Sequence, residues 1–158
     1  MSIPNDLLTN MAQIRKLYTL MLSPLGEQYD LAQIEIHILL FLKNNPEFNT
    51  ARDIEKYRGL AKSNISNALE RLRKRRLLKV QKDPENRRIN RIYLEEEGDV
   101  LARILQKRQA EFFTILLQDI PEDVCRAVQT FFLQTQHNVE AALSCPAGQL
   151  SSDSQSPQ

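Results

Sequence analysis

The spacing of apolar residues along the chain predicts a protein made mostly of helices. In the first part, apolar residues recur at alternating steps of four and three, which is the repeat of one face of an α-helix. These residues are Leu7, Met11, Ile14, Tyr18 and Met21. The pattern predicts a first helix from about Pro4 to Leu22. The segment SPLG at 23–26 is expected to end it, because Pro and Gly both interrupt helices.

A second apolar segment predicts a largely buried helix. It begins near Asp30, which together with Gln33 approximates a capping box, and it continues to about Lys43. Its central residues, IEIHI, also alternate as the residues of a strand do, but the length and the cap favour a helix. His37 lies inside this apolar run, where it is either a hydrogen-bonded core residue or a ligand contact.

Two shorter helices separated by a glycine turn are predicted next. Thr50, with Asp53 three residues later, is a cap for a helix from Ala51 to about Tyr57. Gly59 supplies a turn in which a positive φ is tolerated. The following helix is predicted from about Ala61 to Arg76.

Two alternating runs then predict a β-hairpin. They are Leu77–Gln81 and Ile89–Leu94, separated by KDPENRR, so that Asn86-Arg87-Arg88 forms the tip. A helix, a turn, a second helix and a hairpin with a basic tip follow one another in the order of a winged helix-turn-helix.

The C-terminal part predicts two more helices and a tail. Acidic residues at 95–99 suit the start of a long helix that continues to about Asp119, and Pro121 suits the start of a last helix. The last helix has an apolar stripe of Val124, Val128, Phe131, Phe132, Val139 and Leu143. From Cys145 the chain is polar and of low complexity, and we expect it to be disordered.

The distribution of charge points to nucleic acid. The 158 residues carry a net charge of only +1, but residues 52–91 hold fourteen Lys and Arg against five Asp and Glu. The rest of the chain holds seven against fifteen. This asymmetry is typical of a nucleic-acid-binding segment on an acidic scaffold. A solvated basic helix face without a polyanionic partner is the alternative.

Other classes of protein are not expected. The two cysteines, Cys125 and Cys145, are 20 residues apart without clustered histidines, so neither a zinc site nor another cofactor is predicted. We interpret Cys125 as a small buried residue, with a redox switch as the alternative. Two His residues and the absence of a phosphate-binding Gly loop argue against an enzyme. With no signal peptide and no apolar run of about 20 residues, we expect a cytoplasmic protein without a membrane span.

The helix predicted from about Ala61 to Arg76 has one apolar and one polar face. At about 100° per residue, Ala61, Ala68, Leu69 and Leu72 fall on the side of Ile65, which predicts the packed face. The other side suits the major groove of DNA, where Asn reads adenine and Arg reads guanine. The predicted DNA contacts on this helix are Lys62, Ser63, Asn64, Asn67, Arg71 and Lys74.

The hairpin predicts a second DNA contact. Arg87 and Arg88 at its tip suit the narrow minor groove, where the electrostatic potential rather than base identity dominates. Asp83 is expected to support this wing by pairing with one of the two arginines.

Four motifs with fixed spacing lie within residues 50–98. They are K-S-x-I-S at Lys62–Ser66, L-x-x-L-x-K-R-x-L-L at Leu69–Leu78, D-P-E-x-R-R at Asp83–Arg88 and L-x-E-x-G at Leu94–Gly98. In these motifs the chain resembles the central segment of the MarR family of bacterial winged-helix transcriptional regulators. The resemblance implies a homodimer with interlocked terminal helices, which binds double-stranded DNA at a pseudo-palindromic operator and often releases it when a small ligand binds.

Three positions depart from the family pattern. Arg76 stands where the family usually has Gly, Ala61 where a capping Ser is common, and Asn86 where the wing commonly has Asp. We therefore expect the left-handed cap at Arg76 to be either strained or differently made, the N-cap at Ala61 to lack its acceptor, and the ion pairing inside the wing to be weaker. None of the three removes a predicted DNA contact.

The predicted fold is mainly α with a small β-hairpin wing, a winged helix-turn-helix with N- and C-terminal dimerisation helices. Residues 1–29 are the N-terminal dimerisation helix and connector, 30–97 the DNA-binding domain, 98–145 the dimerisation helices and 146–158 the tail. The terminal apolar stripes pack either on each other or in a shared dimer core, which we favour because two-fold symmetry doubles the DNA contact.

The predicted function is that of a dimeric, sequence-specific regulator, more specifically a repressor released by a small-molecule effector. By analogy with the family, the effector would bind between the dimer helices and the winged domain, with Arg15, Tyr18 and His37 as first candidates. The alternative function is a winged-helix interaction module whose basic face binds an acidic protein.

Overall fold

The computed structural model describes residues 6–144, with side chains from residue 8 onward. The elements in chain order are α1 Asp6–Tyr29, α2 Gln33–Asn44, α3 Ala51–Arg58, α4 Lys62–Lys74, β1 Leu78–Lys82, β2 Asn90–Leu94, α5 Glu96–Leu116 and α6 Glu122–Ser144. Strands β1 and β2 form an antiparallel hairpin in which Leu78 pairs with Leu94 and Lys82 with Asn90. The predicted fold class is confirmed. Pro4, Cys145 and the tail at 146–158 lie outside the described residues.

Helix α1 is longer than predicted, because it continues through Pro24 to Tyr29. A proline inside a helix leaves one carbonyl four residues earlier without its N–H donor. Here that carbonyl belongs to Leu20, and it accepts a hydrogen bond from the Ser23 hydroxyl at 3.2 Å. Leu22 and Leu25 are buried on either side of the proline. The hydroxyl and the apolar burial keep the helix intact across a sequence that normally ends one.

The predicted cap of α2 at Asp30 is wrong. Asp30 has a φ of 50° and lies in the turn that follows α1. The helix begins instead after Ala32, whose backbone N–H donates to Glu35 Oε2 at 2.7 Å. The carboxylate of Glu35, at the third position of the helix, therefore caps the backbone N–H of Ala32.

The C-terminus of α1 is also bound to α4. Arg75, just after α4, donates to the backbone carbonyls of Tyr29 and Asp30 at 2.8 and 2.5 Å. A guanidinium on the last carbonyls of a helix interacts favourably with the negative end of the helix dipole. This contact ties the end of α4 to the end of α1.

The core of the winged domain lies around α2. Its apolar run is helical, so IEIHI is not a strand. The run is largely buried and packs with Ile54 of α3, Leu72 of α4 and Leu78 of β1. The cap of α3 is as predicted, because the Thr50 hydroxyl accepts from the Asp53 N–H at 3.1 Å. Gly59 has the predicted positive φ, at 60°.

Gly98, in the first turn of α5, allows this helix to pack closely against the start of the hairpin. A Cβ at Gly98 would lie 1.8 Å from the backbone oxygen of Leu77. The same oxygen accepts a hydrogen bond from the Glu95 N–H at 3.0 Å. The first turn of α5 therefore packs backbone to backbone against the start of the hairpin.

Arg76, in the turn after α4, adopts the strained left-handed conformation, one of the two alternatives expected, with a φ of 56°. The Leu77 N–H bonds to the Leu72 carbonyl and the Arg76 N–H to the Arg73 carbonyl, each at 3.0 Å. This is the Schellman arrangement that usually has glycine at the left-handed position. An L-residue there carries a steric penalty that glycine does not.

Arg76→Gly is therefore expected to stabilise the fold. We expect the free energy of unfolding to rise by about 0.5–1 kcal/mol, measured by urea denaturation. Arg76→Ala is the matched control, since it removes the same charge without relieving the strain, and it should not be stabilised. Equal stabilisation by both substitutions would assign the effect to charge instead.

The chain divides after Leu116 into two compact units, and the second contains α6. No residue of α6 is buried, and the apolar stripe predicted from the sequence is exposed along it. Cys125 is half-exposed, so the interpretation of it as a buried residue is wrong. Within residues 6–144, no helix is both long and apolar enough to cross a membrane.

Candidate nucleic-acid interface

Helix α4 presents the polar face predicted from its sequence. Ile65, Ala68 and Leu72 are buried beneath it, and Leu69 is half-buried. Ala61, expected on the packed face, is exposed because it is the N-cap and precedes the first turn. All six predicted contacts on α4 are exposed: Lys62, Ser63, Asn64, Asn67, Arg71 and Lys74.

The N-terminus of α4 has no side-chain cap. Ala61 offers no acceptor, so its side chain accepts none of the backbone N–H groups of the first turn. Such N–H groups at the positive end of a helix dipole suit a phosphate oxygen. The family departure at Ala61 therefore leaves the start of α4 suited to the DNA backbone.

At the other end of α4, cations surround one exposed carboxylate. Arg73 Nη2 lies 2.9 Å from Glu70 Oε1, and Lys74 Nζ lies 3.8 Å from the same atom. The hydrogen bond from Arg73 holds the pKa of Glu70 below its ordinary value. Since these groups are exposed, the pairs are weak and leave the two cations free to move to a phosphate.

Arg71 has a different carboxylate beside it. Its Nε lies 3.2 Å from Oε1 of Glu35, whose side chain is 0% exposed, whereas the Arg71 side chain is 55% exposed. Glu35 is not among the residues predicted from the sequence to be functional. The available signal was one acidic residue inside an otherwise apolar helix, which requires a partner when it is buried.

The wing is stiffened by Asp83, but not through the tip arginines. Asp83 Oδ2 accepts from Arg91 Nε at 2.7 Å, and its Oδ1 accepts from the Glu85 and Asn86 N–H groups, each at 2.9 Å. The predicted pairing with Arg87 or Arg88 is wrong. Arg91 lies on β2 close to the carboxylate, while both tip arginines are exposed.

Arg91 also fixes the base of the wing to the helical domain. It donates from Nη1 to Asn49 Oδ1 at 3.0 Å, and the Asn49 carbonyl accepts from the Ile92 N–H at 2.8 Å. At the tip, Asn86 Oδ1 accepts from the Arg88 N–H at 3.1 Å, a bond within the turn. The arrangement holds the turn rigid and presents Arg87 and Arg88 outward.

The wing contact predicts a loss of stability in acid. The hydrogen bonds from Arg91 and the Asn86 N–H hold the pKa of Asp83 below its ordinary 3.8. A carboxylate with a lowered folded pKa contributes stability above its unfolded pKa, and the contribution is lost as the pH falls through the folded pKa. Asp83→Asn should be less stable than wild type at pH 7, and the difference should shrink below about pH 3.8. Urea denaturation between pH 2.5 and 7 measures it.

Glu85→Gln is the control for that experiment. Glu85 lies in the same turn and contributes its backbone N–H rather than its exposed side chain to Asp83. This variant should follow the pH dependence of wild type. A constant difference between Asp83→Asn and wild type at all pH values would contradict the assignment.

Two of the three effector candidates lie close together. The rings of Tyr18 and His37 are edge to face at 5.9 Å, and Gln109 Nε2 donates to the Tyr18 hydroxyl at 2.8 Å. Burial raises the pKa of Tyr18 and lowers the pKa of His37, and the nearby Arg58 cation lowers the latter further. Arg15 lies elsewhere on α1, exposed beside Met11 and Leu20.

Arg58, which sequence analysis missed, provides the cation beside this aromatic pair. Its Nε is buried without a hydrogen-bond partner among the described residues, and its guanidinium lies 5.4 Å from the Phe41 ring centroid. Burial lowers the pKa of Arg58. Arg58 belongs to the basic segment by sequence, but its half-buried position over the Phe41 ring of α2 separates it from the exposed arginines of α4 and the wing tip. Residues 6–144 contain no cluster of three or more potential metal ligands.

The helices α2 to α4 and the hairpin define a winged helix-turn-helix protein. Residues 29–89 match the sequence model described as the MarR family. The winged-helix segment of this chain is therefore similar in sequence to the MarR family, as its motifs indicate. Comparison with curated proteins gives no match.

Solved structures extend the likeness over most of the chain. The transcriptional regulator PA3341 has 23% identity and a TM-score of 0.76, covering 84% of this chain and 97% of that one. A MarR-family regulator from Listeria monocytogenes, solved with a 26mer DNA, has 14% identity, a TM-score of 0.74 and coverages of 88% and 90%. MepR from S. aureus, solved as a DNA complex, has 18% identity, a TM-score of 0.70 and coverages of 86% and 96%. The chain thus has the fold of these transcriptional regulators.

Proposed function

We propose that this protein is a homodimeric, sequence-specific DNA-binding regulator that acts as a repressor and releases its operator when a small molecule binds. The observation that carries the proposal is the polar, cationic face of α4 in a fold that also exposes two arginines at the wing tip. The DNA complexes of two structurally similar regulators support it. They do not favour the alternative of a module that binds an acidic protein.

In this function the middle of α4 reads bases in the major groove. Asn64 and Asn67 are one helical turn apart on the exposed face, and amide side chains pair with adenine through two hydrogen bonds. Arg71 follows one further turn along the same face, and a guanidinium pairs in the same way with guanine. The three residues would read successive positions of one half-site.

The remaining predicted contacts hold the DNA backbone and the minor groove. Lys62 and Ser63 lie in the uncapped first turn of α4, and Lys74 lies at its other end, positions that suit phosphates on both sides of the groove. Arg87 and Arg88 would enter the adjacent minor groove. The Asp83 contacts hold the turn that carries them, so less conformational freedom is lost on binding.

The exposed apolar faces of the terminal helices support a homodimer. On α1, Leu8 and Leu20 are exposed, and on α6 Val128, Phe132 and Leu143 are exposed. Apolar side chains exposed at several turns of one helix, rather than singly, mark an interaction site. A two-fold dimer would place its recognition helices about 34 Å apart, one turn of DNA.

For the effector, we propose binding against Tyr18 and His37, beside Arg58. The buried Arg58 Nε has an unused donor, and the Tyr18 hydroxyl is a second polar group nearby. A cation and a hydroxyl among aromatic rings suit a small organic anion with an apolar body. Binding there would act on α1, α2 and α3 together, the elements that carry these residues.

The proposal is tested by selection of bound fragments from sheared bacterial genomic DNA at about 150 mM salt, a concentration at which non-specific binding is weak. Footprinting of the selected fragments should show an inverted repeat with half-sites one helical turn apart. The genes beside the site would indicate the class of effector. Diffuse, salt-sensitive binding without a repeat would contradict the proposal.

A further inference from the structure

Glu35 is the one acidic residue of α2, and it lies on the side of that helix that faces α4. Its side chain is fully buried, and its two carboxylate oxygens differ in their hydrogen-bond partners. Oε2 accepts from the Ala32 N–H at 2.7 Å, whereas Oε1 has no hydrogen-bond partner among the described residues. Arg71 Nε lies 3.2 Å from this Oε1, close enough for an ion pair but without hydrogen-bond geometry.

We propose that Glu35 is a specificity-determining positioning residue, which holds Arg71 by its Nε so that the two terminal nitrogens face a base. The inference rests on the proposed DNA-binding function and assigns a role to a residue that itself touches no DNA. A small rotation of the Arg71 side chain would bring its N–H into line with Oε1 and complete the bond.

The buried carboxylate of Glu35 is the group that requires a cationic partner. A buried charge without a partner is costly, so the Glu35 oxygen favours every conformation of Arg71 that brings a donor to it. A guanidinium has five N–H donors in a rigid plane, so binding through Nε leaves the outer edge free. That outer edge has the spacing that pairs with guanine.

The advantage for recognition is a smaller loss of freedom. An arginine side chain loses considerable rotamer entropy when it is fixed on a base, and an arginine that is already held loses less. Around the pair is a small hollow of about 210 Å³, lined also by Asn64 and Asn67. Glu35 therefore lies directly beneath the surface expected to read bases.

The chain contains a matched control for this idea. Glu70 on α4 also has arginine and lysine neighbours, but it is exposed and pairs with Arg73 and Lys74 in solvent. Glu35→Gln and Glu70→Gln each remove one negative charge from the DNA-binding side. Both should therefore raise affinity for random DNA slightly and by a similar factor. Only Glu35→Gln should change the choice of base.

The experiment measures binding of wild type, Glu35→Gln, Glu70→Gln, Arg71→Ala and the Glu35→Gln/Arg71→Ala double variant to the footprinted operator and to its single-base variants. Glu35→Gln is expected to lose about tenfold in discrimination, at the same base position as Arg71→Ala. The double variant should discriminate no less than Arg71→Ala does. Wild-type discrimination in Glu35→Gln, or an equal loss in Glu70→Gln, would overturn the inference.

Failure of the inference can be separated from failure of the proposed function. If wild type shows no preferred DNA sequence, the proposed function fails. If wild type and Arg71→Ala differ at one base but Glu35→Gln matches wild type, only the role of Glu35 fails.

A second measurement uses the wild-type protein without DNA, so it does not depend on whether any variant folds. In wild type, ¹⁵N relaxation of arginine Nε should show Arg71 to be more ordered than Arg88 at the exposed wing tip. If the Nε of Arg71 proved as mobile as that of Arg88, the proposal that Glu35 holds Arg71 would be refuted.

Discussion

Gly98→Ala is expected to destabilise the fold by about 3 kcal/mol or more, a large part of the stability of an ordinary domain. The added Cβ would lie 1.8 Å from the Leu77 oxygen and 2.7 Å from its carbonyl carbon. Both atoms are backbone, so no rotamer change relieves the overlap. The start of α5 would have to move away from the hairpin and stretch the hydrogen bond between Glu95 and Leu77. Urea denaturation followed by circular dichroism measures the loss.

Gly59→Ala is the matched control for Gly98→Ala. Gly59 has a φ of 60°, but nothing lies within 4 Å of the position that its Cβ would take. The substitution therefore adds backbone strain alone, which we expect to cost about 1 kcal/mol. If Gly59→Ala were as costly as Gly98→Ala, the close packing of α5 on the hairpin would not be the reason for the glycine.

Arg71→Ala is expected to raise the dissociation constant for the mapped operator by about 10- to 100-fold and to abolish the preference at one base of each half-site. The reason is the loss of a side chain that offers two parallel donors to a guanine. Competition binding with operators changed one base pair at a time measures both effects. The substitution also leaves the buried Glu35 carboxylate without a cation, so unfolding should be measured alongside binding.

Lys74→Ala is the comparison for Arg71→Ala. Lys74 is an exposed cation at the end of α4, and we expect it to contact phosphate. Its removal should weaken binding to all sequences by a similar factor and reduce the slope of log affinity against log salt by about one. Equal affinity of wild type and Arg71→Ala for the operator would contradict the role given to Arg71.

Local features of this chain were predictable because the interactions that cause them are close in sequence. The Thr50–Asp53 cap joins residues three apart, and the polar face of α4 follows from the helical repeat. The left-handed residue at Arg76 belongs to a turn closed within six residues. In each case the physics involves one or two helical turns, so the order of residues contains nearly all the information needed.

Where the local sequence was misleading, tertiary burial reversed the expected outcome. Pro24 would end an isolated helix, but α1 continues because Leu22 and Leu25 are buried around the proline and Ser23 supplies the missing donor. Asp30 is a better cap by residue type than Ala32. Ala32 is the N-cap nevertheless, because the buried Glu35 reaches back to its N–H.

The amino-acid sequence by itself was sufficient to predict a winged helix-turn-helix with an exposed basic helix face and a basic wing tip, because periodicity, caps and charge are local or additive. The partners of the charged side chains were not predictable in the same way. Glu35 meets Arg71 and Arg91 meets Asn49 across 36 and 42 residues, and Arg58 reaches the aromatic pair of α1 and α2 only after folding. By sequence alone, many of the Lys and Arg residues in the basic segment could have made each of these contacts. Packing selects among them, because a buried charge is tolerated only where the folded chain brings a complementary group within a few ångströms.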